Sequence, residues 1–127
     1  MNPKPVIARQ RAQQDVDEAI GHYLRDANAA VALGFVGDLQ AAYRLIAEHP
    51  ASGSPRYAYE LQIADLRSLR LKHYPYLVFY VEHPEHIDVW RVLHGMRDIP
   101  SWLIGPDGER AEHQSLAPAR AAQTSPE

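Results

Sequence analysis

Arg67, Arg70, Lys72 and His73 stand within the single stretch Leu66–His73 with no acid between them. Arg91, His94 and Arg97 follow in the last apolar run and just beyond it. Clustered guanidinium and ammonium groups are suited to phosphoryl charge. With His94 or Tyr80 moving protons, such a set is the chemistry of metal-free RNA cleavage. The same residues also describe an ordinary solvated strand face, paired across a sheet with Glu82, Glu85 and Asp88. No unique acid–base pair can be named among them.

Other chemistry is thinner. His83, Glu85 and His86 are metal-capable side chains in one turn, but zinc takes three or four ligands in fixed geometry and no fourth stands nearby. There is no Gly-x-Ser-x-Gly elbow. Gly34 and Gly37 lie inside a helical pattern rather than at a strand-to-helix turn, so they form no phosphate-cradling loop.

The elements that must position these residues can be read from period. Pro5–Arg9 is a short apolar strand. Ala12, Val16, Ala19, Ile20, Tyr23 and Leu24 recur at helical steps. Asp15, Asp17 and Glu18 lie near the start of that stripe, where the helix dipole favours acids. Asn28 is a break or a cap. Ala32, Val36, Leu39, Tyr43 and Ile46 make a second stripe, in which Gly34 and Gly37 would permit close approach of the first helix. His49-Pro50 ends it, because the residue before proline is pushed out of helix. Ala51–Pro55 is a loop by composition.

The period then changes. Leu66–His73, Tyr76–Glu82 and His86–His94 are strands joined by short turns, so they form an antiparallel meander. The reading is α+β: an N-terminal strand and an αα-hairpin packed on a small antiparallel β-sheet. Both parities of 76–82 are apolar, so the second sheet face is covered by Met96–Leu103 or kept for a partner. Gly95 and Pro100 read as a strand terminator and the start of a last helical turn.

The chain has 127 residues, 46 % hydrophobic and 23 % charged, near globular averages and enough for one core. It has no cysteine, which excludes disulfides and thiolate metal sites and favours a cytoplasmic setting. No secretory leader or membrane span is expected. Net charge is −3, unlike a bulk polyanion binder. From Gly105 on, Leu116 is the sole large apolar residue. Residues 1–104 are therefore read as one domain and 105–127 as a flexible tail.

Three local signatures then stand in order: Leu45-Ile46-Ala47-Glu48-His49-Pro50 before a Gly/Ser/Pro loop, the strands Leu69-Arg70-Leu71 and Leu77-Val78-Phe79-Tyr80, and Arg91-Val92-Leu93-His94-Gly95-Met96-Arg97-Asp98. Together they resemble the ParE branch of the RelE/ParE toxin superfamily over about residues 4–103. The last signature is the most specific, since family members commonly end on Arg-Val-Leu-His-Gly followed by Arg-Asp. Met96, where many relatives are basic, and the long tail depart from the pattern.

The resemblance implies the toxin half of a type II toxin–antitoxin pair, neutralised in a hetero-oligomer by a small ParD-like antitoxin. It implies inhibition of DNA gyrase, by binding rather than catalysis, without direct nucleic-acid binding, membrane or cofactor. The alternatives are a RelE-type, ribosome-dependent mRNA endoribonuclease and a decayed toxin that retains only partner binding. On this resemblance Arg67, Arg70, Lys72, Arg91, His94 and Arg97 are candidates for target binding. Val36, Tyr43, Tyr76, Val78, Tyr80 and Trp90 are candidates for antitoxin binding, through an amphipathic segment laid near the hairpin and sheet edge as a helix or an added strand.

Overall fold

A computed structural model describes residues 2–95 and Ile99. The described residues up to Gly95 form one compact unit; the expected boundary at 104–105, the tail and Met96–Leu103 lie largely or wholly outside the described residues. In chain order this unit contains β1 (Val6–Ala8), α1 (Gln10–Asp26), α2 (Ala29–Glu48), a 3-10 turn (Pro50–Ser52), α3 (Arg56–Leu61), β2 (Leu66–Arg70), β3 (Tyr76–Glu82) and β4 (Ile87–His94).

The two helical stripes form as their spacing predicts. α1 buries Ala12, Asp15 and Ala19, and α2 buries Ala32, Phe35, Leu39, Ala42 and Ile46. Asn28 caps α2: its Oδ1 accepts the Val31 N–H at 2.9 Å, satisfying a donor the helix itself leaves open. Pro50 ends α2 and opens the 3-10 turn. By length and a mean hydropathy of 1.2, α2 also meets the minimum for a bilayer-crossing helix. Core helices meet it too, and here Phe35, Leu39 and Ile46 pack into the core with Val78, Tyr80 and Val89.

The sheet order is β1-β4-β3-β2. β2, β3 and β4 are the antiparallel meander, while β1 joins its far edge parallel to β4, with Val6 opposite Ile87. The sheet is thus mixed: the αα-hairpin gives β1 the long connection a parallel neighbour needs.

A bulge lies in β4, where Phe79 pairs with Arg91 and the next residue, Tyr80, with Val89. Trp90 is the extra residue. Three positions apart, Val89 and Val92 would face opposite sides of a regular strand. The bulge resets the alternation, and both enter the core beneath the helices.

Both faces of β3 are covered. Tyr76, Val78 and Tyr80 join the helix-side core, and Phe79 and Val81 are buried as well. The Phe79 ring meets Tyr57 of α3 at 5.4 Å between centroids, tilted at 63°. α3 follows the loop expected at Ala51–Pro55 and supplies part of the cover.

Gly34 serves a different neighbour from the one expected. A Cβ there would collide with the Tyr74 hydroxyl, which donates to Val31 O at 2.8 Å. The close approach is made by the β2–β3 turn rather than by α1. Gly37 has nothing within 4 Å of its would-be Cβ.

Candidate functional site

The basic residues do not converge into one pocket. Arg70 and Lys72 are exposed where β2 runs into the β2–β3 turn. The next residue, His73, is pinned: its backbone N–H and its ring Nδ1 meet the two Asp38 oxygens at 2.6 and 2.9 Å. Burial pushes the Asp38 carboxyl up, but the His73 contacts outweigh it and hold the group below the ordinary carboxylate range.

His94 closes β4 at the same end of the sheet, half-buried with its ring edge-on to Tyr76 at 5.2 Å. Gly95 N–H donates to Pro75 O at 2.8 Å, and Arg70 Nη1 lies 3.2 Å from where a Gly95 Cβ would stand. Arg70 pairs with Leu77, whereas His94 pairs with Tyr76. Adjacent positions point to opposite faces, so Arg70 and His94 share an end of the sheet but not a face.

Arg67 lies three residues back, opposite Tyr80. Its Nη1 donates to Gly53 O at 2.7 Å. Tyr80 is wholly buried. Its hydroxyl accepts the Gly53 N–H at 2.9 Å and donates to Pro50 O at 2.7 Å. Burial pushes this phenol up, with the Gly53 contact and Arg67 opposing.

Arg91 must be withdrawn as a surface contact. It is 1 % exposed, and its Nε and Nη2 donate to Asp15 Oδ2 and Oδ1 at 2.8 and 2.9 Å. Val92 N–H donates to the same Oδ2 at 3.0 Å. Asp15 does more than complement the helix dipole. Its real signal was position: it falls between Ala12 and Ala19 on the apolar side of α1, where a carboxylate needs a buried partner. Arg97 lies outside the described residues.

Four of the six candidates for antitoxin contact are also corrected. Tyr76, Val78, Tyr80 and Trp90 are 8 % exposed or less, so their side chains are already committed within the chain. Val36 and Tyr43 are half-buried on α2. Among the described residues, the large apolar side chains that do face solvent are Leu24 at the end of α1, Leu33 and Leu45 on α2, Ile7 on β1 and Tyr59 on α3. Periodicity marks who faces the core and is silent on which remaining apolar residues stay uncovered.

The family described as "ParE toxin of type II toxin-antitoxin system, parDE" matches residues 6–99. The chain belongs to the ParE toxin family. The described fold is shared with a solved structure titled "Chromosomal ParDE TA system from P. aeruginosa", at a TM-score of 0.60 and 18 % identity, over 72 % of this chain and 95 % of that one. Comparison with curated proteins gave no match.

At the opposite end of the sheet of this ParE-family toxin, Asp88 gathers a network. Arg9 Nε and Nη2 reach its two oxygens at 3.1 Å each, and Trp90 Nε1 donates at 3.2 Å. His83 Nε2 lies 3.3 Å away, its ring stacked on His86 at 4.7 Å. Arg9 also covers the Trp90 ring at 4.6 Å. His83 thus serves a carboxylate and His86 stacks on it, and no cluster of three metal-capable groups occurs among the described residues.

Burial raises the Asp88 carboxyl, but Arg9 outweighs it, with His83 and Trp90 adding to the effect, and the net direction is down from 3.8. A depressed native carboxyl gives stability that is present above its unfolded value and lost as pH falls through the native one. Asp88→Asn is therefore expected to destabilise the toxin near neutrality and to cost progressively less below about pH 4. Urea unfolding of both proteins across that range checks it; a cost independent of pH would refute the linkage.

Proposed function

We propose that this chain is the toxin of a ParDE-type pair, acting in the cytoplasm by binding DNA gyrase and neutralised by a ParD-like antitoxin. The observation that carries the binding reading is the separation of charge from proton-moving groups. Tyr80 is locked between Pro50 and Gly53 inside the protein, Arg91 is spent on Asp15, and Arg70 and His94 lie on different faces. General acid–base chemistry needs donor and acceptor within hydrogen-bond reach of one substrate atom. An exposed Arg70–Lys72 rim suits recognition of a macromolecular surface, where charge steers encounter.

The helical hairpin supports an antitoxin partner. The outward face of α1 carries Gln10, Gln14, Asp17, Glu18 and Arg25, whereas that of α2 carries Ala30, Leu33, Gly37 and Ala41 before it becomes charged at Arg44 and Glu48. The uncharged stretch from Ala30 to Ala41, beside a polar helix, is the surface an amphipathic helix would cover.

Supercoiling by purified gyrase is the test. The toxin is expected to inhibit it, and equimolar antitoxin to restore it. Reversing the rim charges with Arg70→Glu and Lys72→Glu is expected to weaken inhibition by about tenfold or more while leaving the melting temperature unchanged. Unaffected supercoiling together with mRNA cleavage in translating ribosomes would replace this reading with the nuclease. Normal growth on expression without antitoxin would leave partner binding alone.

A further inference from the structure

Between α3 and the start of β2 lies an open groove of about 560 Å³, walled by Tyr59, Gln62, Ile63, Asp65, Leu66 and Arg67. Its size is within the ~300–1,000 Å³ of ordinary ligand sites. Two features of its walls are unusual for a surface with no occupant. Tyr59 holds a large aromatic side chain 78 % exposed. Arg67 is half-buried, yet Nη1 meets only neutral acceptors, Gly53 O at 2.7 Å and Ala51 O at 3.4 Å. Among the described residues its guanidinium forms no ion pair. A cation withdrawn from water and facing carbonyl dipoles retains a strong attraction for a carboxylate, which its fork can hold in two bonds.

We propose that this groove receives an extended segment of the antitoxin, with a carboxylate side chain on Arg67 and an apolar side chain against Tyr59. This rests on the antitoxin reading above and gives it a second contact, away from the helical hairpin. Side chains, not an added strand, make the contact. β2 is an edge strand, but Ser54 already exchanges both main-chain bonds with Ser68, at 2.8 and 2.9 Å, and the Leu66 N–H is taken by Ile63 O at 3.3 Å. The outer edge is therefore closed beside the groove. A peptide fits the charge better than RNA: the groove offers one cation and carries Asp65 on the same wall, whereas a phosphate backbone is held by many cations.

Amide shift mapping on the full-length, isotope-labelled toxin tests this. The probe is an acetylated, amidated hexapeptide of alternating glutamate and leucine. It is expected to move the amides of Tyr59 and Ile63–Arg67 with a dissociation constant of about 1 mM. Arg67→Met should weaken it about tenfold, and Tyr59→Ala several-fold. Tyr59 is exposed, so its variant tests the groove even if Arg67→Met unfolds. The matching lysine–leucine peptide should move nothing there. Silent groove amides, equal response to the lysine peptide, or a stronger response at the same amides to a short oligouridylate would each overturn the proposal, the last in favour of nucleic acid. The antitoxin itself separates the two readings. If it binds wild type and both variants equally, the groove assignment fails and the pairing stands; if it binds none of them, the pairing fails.

Discussion

Replacing Asp15 with alanine is expected to unfold the toxin domain or to lower its melting temperature by more than about 15 °C. Asp15 is 8 % exposed and Arg91 1 %, and the carboxylate accepts three hydrogen bonds, two from the guanidinium and one from the Val92 backbone. Removing it takes two charge-assisted bonds from a buried cation and an acceptor from a buried N–H. Breaking such a pair costs roughly 3–5 kcal/mol, against a total domain stability of only ~5–15 kcal/mol. The damage is local to the bolt between α1 and β4, next to the bulge that turns Val89 and Val92 inward.

The same physics sets two controls. Exchanging both partners, Asp15→Leu with Arg91→Met, removes both charges and is expected to recover most of the loss. Tyr43 is the second control. Its hydroxyl is buried without a hydrogen-bond partner, and burial, aided by the Asp15 charge, pushes the phenol up to about 12. Tyr43→Phe deletes an unsatisfied group and is expected to be neutral or stabilising. Calorimetry of the four proteins decides the matter. A mild Asp15→Ala variant would show that the pair contributes little.

Gly53→Val is expected to be the next most damaging change, about 3 kcal/mol. The reason is space: φ at Gly53 is −75°, open to any residue. A Cβ would stand 2.6 Å from the Tyr80 hydroxyl and 3.0 Å from Ser68 O. One obstacle is a buried ring and the other a backbone carbonyl, so neither can swing away. Relief requires displacing the 50–54 segment, which breaks the Tyr80 bonds to Gly53 and Pro50, the Ser54–Ser68 bridge and the Arg67 bond to Gly53 O. Each neutral bond is worth about 0.5–1.5 kcal/mol. Adding Tyr80→Phe removes the closest clash, so the double variant should be less destabilised than the sum of the singles. Strict additivity in denaturant melts would show that the two groups do not meet.

Apart from the short α3, which has no apolar stripe long enough to show a period, the elements and their order were legible in the chain because each has its own period. Helical steps in 12–24 and 32–46, β-branched and aromatic runs in 76–82 and 86–94, Asn28 as a cap and Pro50 as a stop are local properties, set by backbone geometry and solvent. The closing motif from Arg91 to Asp98 was legible for another reason, as a pattern shared with a family. Tertiary packing alone decided the rest. Arg91 looks like a neighbour of Arg97 in a basic set, yet its partner is Asp15, in another element, and only the packing of α1 on β4 brings them together. Tyr80 reads as a reactive phenol until the 50–54 segment closes over it. Trp90 and Tyr76 read as sticky until both sheet faces are seen to be covered. Period tells a residue which way to point. Whether a charge is spent, a ring is hidden or a groove stays open depends on contacts between residues far apart in the chain, and these exist only after the helices have settled on the sheet.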